Sequence, residues 1–161
     1  MIKTFFDLLD NEELNWLGEK CKGFTKTNDT EPDGKLWFYN SMFLNEEDKL
    51  VNFKKRVLDL VGDKYEIQYN GIFINKITTD TNTNDDYHVD SSDLSIVTYI
   101  NDDFTGGYFK YKQDNNTHLI KPILNLSILM DREIPHKVLP INRGVRFSLI
   151  TWFKKKKKEM V

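Results

Sequence analysis

Three residues in the second half of the chain have the types and spacing that hold a transition metal. They are His88 and Asp90, in Tyr87-His88-Val89-Asp90, and His136, in Pro135-His136-Lys137-Val138. Two imidazoles and one carboxylate on one face of a barrel, with the other coordination positions open, form the facial triad that suits non-haem Fe(II) used to activate O2. His88 and Asp90 are two positions apart, so on an extended segment their side chains point to the same face. His136 must then return from a distant strand. Neutral imidazole and ionised carboxylate are the forms that ligate. The third histidine, His118, reads as a surface or hydrogen-bonded residue.

The elements that must position these groups divide into two blocks. Residues 2 to 9 read as a short strand, and Asp10 can cap a helix starting at Asn11-Glu12-Glu13 with Leu14, Leu17 and Cys21 on one stripe. A polar, turn-rich stretch from Gly23 to Gly34 leads to an apolar and aromatic run, Leu36 to Leu44, in which Trp37, Phe38 and Tyr39 are core or a substrate wall. Asn45, followed by Glu46-Glu47-Asp48, reads as a second helix start. Leu50, Phe53, Val57, Leu60 and Val61 form its buried stripe, and Gly62 ends it.

From Tyr65 the period changes to that of strands. The run Tyr65 to Tyr69 alternates, Gly71 breaks, and Ile72 to Ile77 resumes. A polar loop, Thr79 to Asp86, enters the histidine motif. Strands follow at Leu94 to Ile100, Gly107 to Lys112, His118 to Pro122, Ile123 to Met130, Lys137 to Leu139 and Val145 to Phe153, with Asn115-Asn116 marking a hairpin. Many strands with short turns after two helices imply a mainly β protein with N-terminal helices, built as a double-stranded β-helix, the cupin-like jelly roll. One domain is expected over 1–161, with supporting helices in about 10–62, a catalytic β core in about 65–153 and a basic tail at 154–161.

Five elements in this order carry a resemblance: His88-Val89-Asp90, Tyr99-Ile100-Asn101, Gly106-Gly107, His136-Lys137-Val138 and Arg146, ten positions past His136. Together they resemble the Fe(II)/2-oxoglutarate-dependent dioxygenases, and within them the prolyl 4-hydroxylase-like branch, over roughly residues 72 to 153. The resemblance implies that His88, Asp90 and His136 hold Fe(II). It implies that 2-oxoglutarate is the co-substrate, O2 the oxidant, and ascorbate a supporting reductant. Arg146 suits the far carboxylate of 2-oxoglutarate, because guanidinium pairs with it bidentately. Ser148 lies on the same face of that strand, and Tyr99 matches a family tyrosine that reaches the same carboxylate. Trp152, of the same parity as Arg146, walls the iron pocket or packs in the core. The implied products are succinate, carbon dioxide and a hydroxylated substrate, with a prolyl residue of a protein or peptide ahead of a free amino acid or small molecule. One departure stands out: the family commonly has an Arg-Tyr pair on the strand before His-x-Asp, and this chain has Lys76-Ile77.

Two other classes stay in view. A nucleic-acid dealkylating dioxygenase shares the triad but needs a basic, aromatic groove, and a net charge of −2 argues against a general attraction to nucleic acid. A catalytically inert jelly-roll binding module needs no triad at all. The lone Cys21 excludes an internal disulfide framework and points to a reducing compartment. The early Asp7 leaves no apolar signal region, and no run reaches the roughly 20 apolar residues of a membrane span. These readings give a soluble, cytoplasmic protein with no membrane partner. Lys154 to Lys158 reads as a solvated tail.

Overall fold

The computed structural model describes residues 1–24, 41–44, 48–81, 83 and 86–157. Strand β1 (Ile2–Phe6) is followed by helix α1 (Asn11–Lys22), strand β2 (Ser41–Phe43) and helix α2 (Val51–Val61). Strands β3 (Tyr65–Ile77), β4 (Leu94–Tyr99), β5 (Thr105–Gly106), β6 (Phe109–Gln113), β7 (Asn116–Ile120), β8 (Leu126–Asp131), β9 (His136–Val138), β10 (Ile141–Arg143) and β11 (Arg146–Lys155) complete the chain. They form an antiparallel six-stranded sheet in the order β1-β8-β4-β11-β3-β2, a three-stranded sheet β7-β6-β9, and a small pair β10-β5. This is the jelly-roll arrangement expected from the strand pattern.

The middle of the large sheet is buried on both faces. All six residues of β4 are buried, as a strand must be when each side has its own apolar layer. Leu94 and Ile96 join Ile72, Ile74, Leu149 and Phe153 against Leu17, Phe53 and Val57 of the helices. Val97 and Tyr99 point the other way, into a second cluster with Ile128, Met130, Phe109 and Ile134 between the sheets. The helices therefore support the outside of the sheet whose inside faces the triad. Phe53 is fully buried, and Phe53→Ala is expected to cost about 3–5 kcal/mol of unfolding free energy. A lower denaturant midpoint with an unchanged m-value would be the signature.

Asp10 caps α1 as expected, and the cap is a reciprocal box: its side chain accepts from the Glu13 amide at 2.8 Å, and the Glu13 carboxylate accepts from the Asp10 amide at 2.8 Å. Glu13 is nevertheless buried, because Arg56 of α2 reaches across to pair with it. Burial pushes the Cys21 thiol up to about 12 against the pull of Lys76, which makes it an inert core residue.

Several boundaries differ from the sequence expectation. Helix α2 begins at Val51 after a 3-10 turn, Asp48–Leu50, and Asn45 to Glu47 lie outside the described residues, as do the loop from 25 to 34 and Trp37, Phe38 and Tyr39. The break at Gly71 is not a strand end. Strand β3 runs through it as an irregularity, with Asn70 at φ 54° and register shifting opposite Thr151 and Phe153. A Cβ on Gly71 would stand 2.5 Å from the Gln68 carbonyl oxygen and 2.8 Å from that of Trp152, so only glycine allows the backbones to approach. The hairpin turn is Asp114-Asn115, both at positive φ, one position before Asn115-Asn116, with Gln113 paired to Asn116. The short strands β5 and β10 had no alternating pattern long enough to reveal them.

Candidate active site

The triad is assembled at the joint between the chain entering β4 and the three-stranded sheet. His88 and His136 are bridged as antiparallel neighbours, with backbone hydrogen bonds of 3.0 and 2.9 Å in the two directions. Directly paired residues of an antiparallel ladder share a face, so both imidazoles point inward, with ring centroids 4.4 Å apart. Asp90 completes the set: its Oδ1 lies 3.4 Å from His136 Nε2 and 3.9 Å from His88 Nε2. One ligand atom from each residue falls within 4.8 Å of the others. Donors bound at about 2.1 Å on one octahedral face stand about 3 Å apart, so the set needs only a small contraction to close on a cation.

The surroundings fix which atoms face inward. His136 Nδ1 lies 2.9 Å from the Ile134 carbonyl oxygen, so Nδ1–H donates there and the lone pair of Nε2 is left toward Asp90, the arrangement common for a ligating histidine. Phe109 stacks on the His136 ring at 5.4 Å. On the carboxylate, Ser95 Oγ donates to Asp90 Oδ2 at 2.8 Å, and Ser92 Oγ lies 2.8 Å from Ser95 Oγ. The pair of buried hydroxyls thus occupies one carboxylate oxygen and leaves Oδ1 to the imidazoles.

The electrostatics agree with a cation site. Burial acts to raise the Asp90 carboxyl, but the hydrogen bond and charge of His136, the Ser95 hydroxyl and the charge of His88 carry it below its ordinary value. Burial acts to lower His136, and its contacts with Asp90 and the Ile134 carbonyl carry it above its ordinary value. Both shifts share one main origin, the contact between the Asp90 carboxylate and the His136 ring.

A second polar group lies on the inner face of β4 and β11. Arg146 and Ser148 are 3% and 0% exposed, and Tyr99 is 0% exposed. Tyr99 pairs with Ser148 across the strands, and the Arg146 guanidinium carbon stands 4.9 Å from the centre of the Tyr99 ring. Tyr99 Oη, Arg146 Nε and Ser148 Oγ are all buried without a hydrogen-bond partner among the described residues. Buried polar atoms are rarely left unpaired, and three orphans on one surface form a cradle whose chemistry would fit an anion with several acceptor oxygens. Ile77 pairs directly with Arg146 and is buried, so the position at which the resemblance led to the expectation of a tyrosine holds an apolar side chain across from Arg146.

Other motif residues act through the backbone. Asn101 of Tyr99-Ile100-Asn101 donates from Nδ2 to the Val145 carbonyl at 2.7 Å and accepts from the Phe147 amide at 2.8 Å, clamping the start of β11 on either side of Arg146. Gly107, at φ 68°, lies where a Cβ would meet Ile141 at 2.3 Å and the Arg146 side chain at 3.3 Å. Trp152 packs edge-on against Phe73 at 4.9 Å. His118 is exposed and stacks on Tyr111 at 5.0 Å, outside the triad.

Ser92 and Ser95 were not singled out from the sequence. The available signal was a serine of inward parity within the apolar run Leu94 to Ile100. Ser95→Ala is expected to weaken metal binding by about 10–100-fold, the usual effect of losing a group that orients a ligand. Anaerobic Fe(II) titration by calorimetry checks this, and unchanged affinity would reduce Ser95 to a packing role.

The family model described as the 2OG-Fe(II) oxygenase superfamily matches residues 73–154. No curated protein sequence matches the chain. Among solved structures, the chain is similar to a 2OG-Fe(II) oxygenase family oxidoreductase from Burkholderia pseudomallei, with a TM-score of 0.69, 15% identity, and coverage of 96% of this chain and 86% of that one. It is also similar to a Pseudomonas putida prolyl-4-hydroxylase, with a TM-score of 0.66, 16% identity, and coverage of 97% and 93%. A viral collagen prolyl hydroxylase from Paramecium Bursaria Chlorella virus-1, solved with 2OG, gives a TM-score of 0.67, 15% identity and 96% coverage of both chains. At such identities the likeness is one of fold.

Proposed function

The chain belongs to the 2OG-Fe(II) oxygenase superfamily, and from that premise we propose that it hydroxylates a prolyl residue of a protein or peptide. Fe(II) and 2-oxoglutarate, when bound, supply the chemistry: 2-oxoglutarate and O2 become succinate, carbon dioxide and one oxygen atom inserted into a substrate C–H bond. In this reading His88, Asp90 and His136 hold the metal, with Ser95 and the Ile134 carbonyl orienting two of them. Arg146, Ser148 and Tyr99 hold the far carboxylate of 2-oxoglutarate. The observation that carries this assignment is the set of three buried, unpartnered polar atoms on the same inner surface as a complete ligand set.

The prolyl part is supported by the nature of similar folds, the Pseudomonas putida and chlorella virus enzymes being prolyl hydroxylases. Trp152, half-buried, edge-on to the buried Phe73 and paired with Ser95 of β4, would in this reading offer a pyrrolidine ring an aromatic contact. The test is incubation of Fe(II)-loaded protein with 2-oxoglutarate and a panel of proline-containing peptides. The expected result is succinate formation coupled to a gain of one oxygen atom on proline. Coupled turnover of a free amino acid, with none on any peptide, would overturn the peptide reading while leaving the oxygenase chemistry in place.

A further inference from the structure

The strands that present the triad on their inner face have a cluster of cations on their outer face. His88 is bridged to His136, and His136, Tyr111 and His118 continue the same row across β9, β6 and β7. The residues next to this row point the opposite way. They include Tyr87, Lys137, Lys110 and Lys112. The ammonium groups of Lys112, Lys137 and Lys110 stand 4.2, 5.7 and 5.9 Å from the centre of the single Tyr87 ring, all within the range of a cation–π contact.

This grouping is costly by itself. Lys110 and Lys137 are direct cross-strand partners, and like charges placed directly opposite destabilise a sheet. The chain has more acidic than basic residues, 25 against 23. Even so, no carboxylate forms an ion pair with any of the three lysines among the described residues, and the neighbouring Asp86 is in no ion pair there either. One tyrosine face offsets part of the repulsion, and an anionic ligand would offset the rest.

We propose that the Tyr87, Lys110, Lys112 and Lys137 face docks an acidic, extended segment of the polypeptide substrate, a step that rests on the peptide reading above. Lys110 and Lys112 are alternate residues of β6, about 6.6–6.8 Å apart along the strand, the same repeat as alternate side chains of an extended peptide. Carboxylates at every second position therefore match the lysines. The exposed Val89 and Leu119 flank the cluster and give the spacing residues of such a segment apolar support. A nucleic acid fits less well. Cross-strand from the two lysines of β6 are the neutral Leu119 and Thr117 of β7, so the cluster does not extend into the basic track that successive phosphates need.

The experiment uses the full chain and a short fluorescent peptide of alternating Glu and Ser, its Gln-Ser counterpart, and a labelled oligothymidylate, read by anisotropy. Wild-type protein is expected to bind the Glu peptide, to lose affinity as salt rises from roughly 50 to 200 mM, and to leave the Gln peptide unbound. The double variant Lys110→Gln/Lys112→Gln is expected to weaken the Glu peptide by about tenfold or more, whereas Lys110→Arg/Lys112→Arg retains it. Thermal stabilisation by added 2-oxoglutarate verifies that each variant is folded. Equal binding of the Glu and Gln peptides, no loss in the glutamine variant, or tighter binding of the oligonucleotide than of the Glu peptide overturns the proposal. Because the probes contain no proline, a failure of the prolyl reading shows separately, as absent turnover of proline peptides.

Discussion

His136→Ala is expected to abolish coupled oxidation of 2-oxoglutarate and to remove the visible absorption expected of the anaerobic Fe(II)/2-oxoglutarate complex of the wild type. The magnitude follows from its neighbours. Losing a group that merely orients a ligand costs about 10–100-fold in metal affinity or activity, so losing the ligand itself should exceed about 100-fold. His136 has the least freedom of the three: it is 6% exposed, stacked on Phe109, tied by Nδ1 to Ile134, and bridged through its backbone to His88. Alanine keeps that backbone bridge, so the fold is expected to survive while the metal does not bind. Asp90→Ala and His88→Ala should give the same loss. Normal coupled turnover in the His136→Ala protein would dismiss the triad, and retained turnover in all three would mean that the chemistry lies elsewhere on the chain.

The sequence revealed the triad because the chemistry demands particular side chains at particular places, and His88-Val89-Asp90 with a distal His136 has few alternative explanations. Arg146 and Ser148 were legible for a related reason: strand parity places both on one face, and both are buried on it. What stayed hidden depends on tertiary context. Ser95 meets Asp90 only because β4 turns that parity inward. Glu13 was legible only as part of the helix start after Asp10, and its burial is set by Arg56, forty-three residues away. The lysine cluster draws on two strands, β6 and β9, and on the segment before His88, and no local window brings Tyr87 and Lys137 together. The continuity of β3 through Gly71 was misread because glycine in a strand signals both a stop and a close backbone approach, and only the position of the Trp152 carbonyl decides between them.

Arg146→Ala separates a co-substrate anchor from a structural arginine, because the two roles predict opposite effects on the metal-free protein. A buried arginine that held the fold together through an ion pair would cost about 3–5 kcal/mol when removed. Arg146 has no carboxylate partner among the described residues, its Nε is unsatisfied, and the aromatic face of Tyr99 is its compensation. Removing it should therefore leave the melting temperature of the metal-free protein unchanged or raised. The loss appears instead when 2-oxoglutarate is added. Truncating one partner of a buried, hydrogen-bonded charge pair costs about 2–5 kcal/mol, which is a factor of about 30 to several thousand in affinity. Saturating 2-oxoglutarate at about 100 times Kd stabilises the wild type by about 2.7 kcal/mol, and the variant should keep no more than about 0.9 kcal/mol of this at the same concentration. Fe(II) binding should persist, since Arg146 is not a ligand. Arg146→Lys should recover little, because a point charge replaces a planar fork, and Ile77 walls one side of the cradle without a polar atom to share the carboxylate. A variant that loses metal-free stability yet keeps wild-type affinity for 2-oxoglutarate would assign Arg146 to the scaffold and leave the orphaned atoms of Tyr99 and Ser148 to be satisfied by some other anion.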